Sequence, residues 1–236
     1  MKSPVRSPNR PLLPCKAHDL GHLLFINTGR TICCLPPMIC RLPFSGYLCG
    51  CGSYIVYNDE VLTSTQIPKD RQSEIIRQVK AANAGLLLEG KEDCYRSSHI
   101  TRFAKLEGTC RYLATLGLTR EHYIESGLCD FDKFVIYTDE QTDTYTLFPA
   151  LAKDMDLIDR LGGVYEVVPK GYSKGTAIDF ILNTSDWNWM TLISSVTAAM
   201  TLPCLLMVNT PWLWGITTLC SIRIRSMSQI LWKMTD

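Results

Sequence analysis

VVPKGYSKGTAIDFIL, residues 167–182, is the stretch on which the fold class turns. Its start continues a β-branched run, VYEVVPK, that reads as a strand. A polar turn with a glycine follows, and KGTAIDFIL then spaces its apolar residues as an amphipathic helix does. Lys174 falls in the first turn of that helix, where unpaired backbone N–H groups and the helix dipole favour an anion. A second strand end of this kind stands far upstream. HLLFINTGR, residues 22–30, is a short apolar run without alternation, as in a strand buried on both faces of a parallel sheet, and it ends in the turn Thr28-Gly29-Arg30. In open α/β sheets ligands lie at such carboxyl ends of strands. Thr28 alone would be an ordinary turn residue and Lys174 alone a solvated helix start; their combination carries the signal.

Between these ends the chain alternates strand-like and helical segments. GYLCGCGSYIVY (46–57) and EVLTSTQI (60–67) read as strands that turn at NDE. Pro68 to Ala82 reads as a helix, with Pro68 at its start, Asp70 and Glu74 early, and Ile75, Ile76 and Val79 at helical spacing. AGLLLEG (84–90), KFVIYTD (133–139) and TYTLFPA (144–150) read as strands, and residues 111–116 and 149–161 as helices. Strands interleaved with helices imply an α/β or α+β architecture.

Lys and Arg number 24 against 23 Asp and Glu, a net charge of +1, which gives no argument for a nucleic acid or an anionic membrane surface as partner. The basic N-terminus, MKSPVRSPNRPLLPCK, lacks the apolar core of a signal peptide, so the expectation is a cytoplasmic protein with reduced thiols. Five of the eleven cysteines crowd together: Cys33, Cys34, Cys40, Cys49 and Cys51. Neither CC nor CxC is a strong zinc spacing, and the expectation is small buried hydrophobes on strands, with no metal ligand assigned.

FINTGR, VVPKGYSKGTAIDFIL and the intervening LPFSGYLCGCGSYIVYNDEVL (42–62) together resemble the Cof-like branch of the haloacid dehalogenase superfamily, over about Ala17 to Phe180. The resemblance implies a Rossmann-like core interrupted by an α+β cap domain. It implies a phosphoric monoester hydrolase that uses Mg2+ and acts on a small phosphorylated metabolite. Thr28, Gly29, Arg30 and Lys174 would then hold the phosphoryl group, with Thr28 and Lys174 also serving catalysis. The same resemblance calls for a DxDGT strand ahead of Thr28, with a nucleophilic and an acid–base aspartate. It also calls for a GDxxND motif downstream to help hold magnesium. Neither string is present: Asp19 is the only acidic residue upstream of Thr28, and Asp179 and Asp186 do not match the second motif.

From Trp187 to Ile222 no residue is charged, a length that would span a bilayer, although Pro203 and Pro211 interrupt it. Codon arithmetic offers another origin. Trp and Met have single codons, so reading one base earlier converts Asp186–Thr191 into LELDD whatever the synonymous choices. Met200-Thr201 becomes Asp, Met207-Val208 and Trp214-Gly215 become Gly, Trp232-Lys233 becomes Glu, and Met234-Thr235 becomes Asp. The free third bases permit GDSSND among these forced residues, a string of the missing kind. The same shift over Ser7–Cys15 permits PESAVAAMQ, a plausible helix leading into KAHDLGH. The expectation is a core of residues 16–66 and 163–182, a cap of 67–162, and aberrant segments at 1–15 and 183–236. The chain as written would be inactive. A membrane-anchored protein held by 187–222, and a catalytically dead module that binds phosphate esters, are the alternatives.

Overall fold

A computed structural model describes residues 13–97, 102–118, 123–127, 129–184, 192–195 and 219–223, the last two segments as backbone strands. In chain order the elements are α1 (Leu13–Asp19), β1 (His22–Asn27), α2 (Pro37–Cys40), β2 (Gly46–Cys49), β3 (Tyr54–Tyr57), β4 (Glu60–Ser64) and α3 (Lys69–Ala81). Then come β5 (Gly85–Glu89), β6 (Cys94–Arg96), α4 (Ala104–Thr115), β7 (Lys133–Tyr137), α5 (Thr144–Leu151), β8 (Met155–Asp159), β9 (Val164–Pro169) and α6 (Lys174–Thr184). Two strands of the C-terminal segment complete the order, β10 (Leu192–Ser195) and β11 (Leu219–Arg223).

The strands form two sheets. The first runs β10-β11-β1-β2-β3-β4. Its β1–β2 pair is parallel, with Phe25 opposite Gly46, where any side chain would strike the Phe25 ring. The turn between β3 and β4 holds Asn58 and Asp59 at φ 49° and 64°. Both tolerate the left-handed conformation that a tight hairpin demands at its two central positions. Helix α6 lays Ala177, Ile178, Ile181 and Leu182 on this sheet, against Phe25, Leu48 and Ile55.

The second sheet, β6-β5-β7-β9-β8, is antiparallel throughout. Ile75 and Val79 of α3 and Leu147 and Leu151 of α5 pack with Leu86, Leu88, Phe134, Ile136 and Val167. Leu106, Cys110 and Leu113 of α4 pack in a separate cluster with Leu87, Val135 and Tyr137.

Three expectations need correction. TYTLFPA is helix α5, because the Asp143 side chain accepts a hydrogen bond from Thr146 N at 3.0 Å and caps the first turn. The expected helix over 149–161 is only the end of α5, after which 155–159 form β8. The expected return to the first unit at residue 163 also comes later. β9 pairs with β7 and β8, so the strand leading to Lys174 belongs to the second sheet.

Among the described residues no helix is long and apolar enough to cross a membrane. Within the charge-free run, 192–195 and 219–222 are strand, and β11 pairs antiparallel with β1 across the edge opposite β2. The rest of the expected aberrant tail, and residues 1–12 of the N-terminal segment, lie outside the described residues.

Candidate functional site

The carboxyl end of β1 is held from several sides. Thr28 N–H donates to Leu48 O at 2.9 Å and Cys51 N–H donates to Thr28 O at 3.1 Å. Thr28 Oγ1 accepts from Arg30 N–H at 3.2 Å, and Gly50 N–H donates to Arg30 O at 2.8 Å. The turn is thereby fixed against the loop that follows β2.

The start of α6 is fixed as firmly. Ser173 Oγ accepts from Thr176 N–H at 3.0 Å, and Ser173 N–H donates to Thr176 Oγ1 at 2.9 Å. This reciprocal pair is a capping box, and it places Lys174 at the first helical position. Asn27 Nδ2 donates to Lys174 O at 2.8 Å, which joins the last residue of β1 directly to the start of α6.

Thr28, Gly29, Arg30 and Lys174, the four residues picked from the sequence, line one cavity of about 370 Å³. Lys174 is 8% exposed. The far wall comes from the second sheet and α4, with Thr109, Tyr112, Val135 and Tyr137. Arg30 crosses to that wall, where Nη1 donates to Tyr112 OH at 3.2 Å and its guanidinium lies 5.2 Å from the ring centre.

Sequence reasoning missed the charges between the two walls. Lys133, at the start of β7, is 3% exposed. Its Nζ donates to Glu166, to Glu89 Oε2 at 3.1 Å and to the Gly29 carbonyl at 2.8 Å. Glu166 also accepts from Arg160, with Nε at 2.9 Å. Burial alone would lower the Lys133 pKa, but Glu166 and Glu89 outweigh it and hold the ammonium well above its usual range. Burial pushes Glu166 up, and Lys133 with Arg160 reverse that and leave it below the usual carboxylate range. Glu89 keeps a raised pKa because burial there exceeds its attraction to Lys133. A signal was available: each of the runs GLLLE, KFVIY and VYEVV carries one charge in an otherwise apolar strand, and buried charges need partners.

These residues do not fit magnesium. Mg2+ binds through carboxylate oxygens that cations leave free. The two carboxylates lining the cavity are already paired, Glu89 with Lys133 and Glu166 with Lys133 and Arg160. The one group of three or more potential ligands among the described residues is all sulfur: Cys33, Cys34 and Cys94.

Residues 15–194 match the family of haloacid dehalogenase-like hydrolases. The chain belongs to this family. No curated protein sequence matches it. Solved structures of the family share its fold. BT1666, a phosphatase of the superfamily from Bacteroides thetaiotaomicron, is 18% identical with a TM-score of 0.67, covering 82% of this chain and 71% of that one. BT4131, a subclass IIB sugar phosphatase, is 16% identical with a TM-score of 0.58, covering 74% and 67%. A candidate HAD/COF-like hydrolase from Plasmodium vivax is 16% identical with a TM-score of 0.65, covering 81% and 72%. At these identities the likeness is one of fold, the Cof-type α/β fold of the superfamily.

Proposed function

We propose that this chain carries the phosphate-ester cradle of a magnesium-dependent phosphatase for small phosphorylated metabolites, and that in its present reading frame it binds such esters without hydrolysing them. The observation that carries the proposal is the meeting of Thr28, Gly29 and Arg30 with Lys174, from segments far apart in sequence, on one cavity. Four cationic side chains line it, Arg30, Lys133, Arg160 and Lys174, against two carboxylates, Glu89 and Glu166. The surplus of two positive charges suits a phosphate dianion. Thr28 Oγ1 already accepts from Arg30 N–H, and its own proton remains to donate to a phosphoryl oxygen. The Lys174 ammonium, at a helix start, would neutralise the phosphate where the helix dipole also favours it. Gly29 lies so close to Glu166 that a side chain there would come within 2.8 Å of Oε1, which keeps the turn small beside a ligand. The sugar phosphatase activity of the relative BT4131 supports a sugar phosphate as the first ester to try.

Turnover in this family proceeds through an aspartyl nucleophile and a metal, and this chain supplies neither before Thr28 nor in the cavity. We infer that the coding frame shifts before Lys16 and after about Leu182. The forced residues of the shifted tail support this, since they return acids and glycines where the metal motif belongs. The antiparallel β11 would then be an accidental neighbour of β1, since an open strand edge accepts whatever strand is near.

The test is twofold. Sequencing the gene across codons 15–16 and 181–186 reads the frame, and an alternative frame without a GDxxND-like string overturns the frameshift. Calorimetric titration of the full chain with glucose 6-phosphate reads the cradle. Saturable binding that Lys174→Ala weakens is expected, and binding that is absent or indifferent to Lys174 overturns it.

A further inference from the structure

The thiols that the sequence leaves as scattered hydrophobes are brought into one cluster. Cys33 and Cys34 close the short 3-10 turn Ile32–Cys34, just past the Thr28 turn, and Cys94 opens β6 on the second sheet. Their three Sγ atoms lie within 4.8 Å of one another. Cys34 and Cys94 are 3.4 Å apart and Cys33 and Cys34 3.8 Å. Zinc–thiolate bonds of about 2.3 Å in a tetrahedral site put sulfurs roughly 3.8 Å apart, so one ion reaches all three with little movement. Cys34 is 3% and Cys94 0% exposed.

We propose that Cys33, Cys34 and Cys94 form a three-thiolate site for Zn2+ that clips the phosphate turn to the second sheet. The surroundings are those of a ligand set. Thr31 Oγ1 donates to Cys34 Sγ at 3.3 Å and lies 3.5 Å from Cys33 Sγ, so it orients two of the sulfurs. The Gly90 carbonyl, 3.3 Å from Cys33 Sγ, offers an oxygen at the fourth position. A divalent cation offsets more of the thiolate charge than a monovalent one. The site bears on the cavity because Arg30 Nη1 donates to the Cys34 carbonyl at 3.3 Å. The third ligand lies 60 residues from Cys34, which is why no local zinc spacing shows in the sequence.

The full chain, reduced with a phosphine and handled without oxygen, is titrated with Cd2+ as a spectroscopic stand-in. One equivalent should raise the thiolate-to-cadmium absorption in the ultraviolet and should release Zn2+ already bound to the chain, since thiolates favour the softer Cd2+. Cys94→Ser should weaken binding by more than about 100-fold, beyond the roughly 10- to 100-fold that loss of an outer partner costs, while Cys40→Ser leaves it unchanged. A second measurement needs no variant. With Zn2+ bound, peptide mapping after alkylation should find Cys33, Cys34 and Cys94 protected together and the exposed Cys40 modified. Absence of the charge-transfer band, zinc protection of other cysteines alone, or recovery of a Cys34–Cys94 disulfide that zinc does not alter would each overturn the site.

Discussion

The two sheets of this molecule are built from similar strands but draw their neighbours from different places. All five strands of the second sheet lie between residues 85 and 169, and α3, α4 and α5 cover it with two groups of buried side chains. The first sheet has only its β1–β4 strands from adjoining sequence: α6, which covers it, comes from residues 174–184, and β1 takes one of its two neighbours from β11, almost 200 residues on. Its described buried cluster is also smaller. Under the frame shift proposed above, the difference teaches that the second sheet, which would cover the site, is encoded whole while the first, where the chemistry would sit, is encoded only in part. The proposed cradle would survive because its residues sit on segments that the shift leaves in frame.

Restoring the frame should have the largest effect. A gene that returns the shifted frame after about Leu182 and before Lys16, and supplies the DxDGT strand, should turn background hydrolysis of p-nitrophenyl phosphate into magnesium-dependent turnover several orders of magnitude higher. The nucleophile and metal open a covalent route that positioning alone lacks. A restored protein no faster than the present chain would break the contrast between a whole cap and a partial core.

Next in size is stability. Phe134→Ala empties a fully buried site in the second sheet and should cost about 3–5 kcal/mol in denaturant unfolding. Hydrogen exchange sharpens the comparison: the amides of Val135 and Ile136 should exchange more slowly than those of Leu24 and Phe25. The reverse order would mean that the first sheet is the more stable unit.

Binding should respond more modestly. Lys174→Ala removes a charge-assisted contact of about 1.5–3 kcal/mol and should weaken phosphate-ester binding by roughly 10- to 100-fold. Thr28→Ala removes one neutral hydrogen bond, about 1 kcal/mol, and should cost roughly fivefold. Equal losses in calorimetry would contradict the division of labour between the two residues.

The smallest effect is one of pH. Burial lifts the Asp132 carboxyl, just before the central strand of the second sheet, to about 6. A carboxyl whose folded pKa is raised favours the folded state while protonated. Its contribution is fully present below about pH 4 and is lost as pH rises through about 6. Asp132→Asn should therefore raise Tm at pH 7 and give no gain at pH 4. A gain of the same size at both values would show that the carboxyl is not the cause.

Much of this was legible in the sequence, and the exceptions have physical reasons. β1, the turn joining β3 to β4, α3 and α6 follow from apolar runs, an Asn-Asp turn and helical spacing, all local signals, whereas the single run read over 46–57 is split into β2 and β3 by the tight turn Gly50–Gly52. Four of the residues that line the cavity were picked from the sequence because Thr28 and Lys174 stand at element ends, where backbone groups would face a ligand. α5 was misread because Thr144, Tyr145, Thr146 and Phe148 favour strands, and the Asp143 cap overrides them. β9 was assigned to the wrong sheet because a strand's period tells which face is buried and not which strands lie beside it. Lone charges in three apolar strands marked Lys133, Glu89 and Glu166 as needing partners, but which partners, and the meeting of the three cysteines, could not be read for a related reason: their members come together only through pairing of distant strands and loops.

Phosphorus NMR of the full chain with a sugar phosphate and magnesium tests the central claim most directly, because one spectrum reads both binding and hydrolysis. The account predicts that the ester resonance shifts or broadens saturably with protein while no inorganic phosphate signal grows beyond a protein-free control. Steady growth of inorganic phosphate that Lys174→Ala abolishes, or an ester resonance that the protein leaves unchanged, would contradict it.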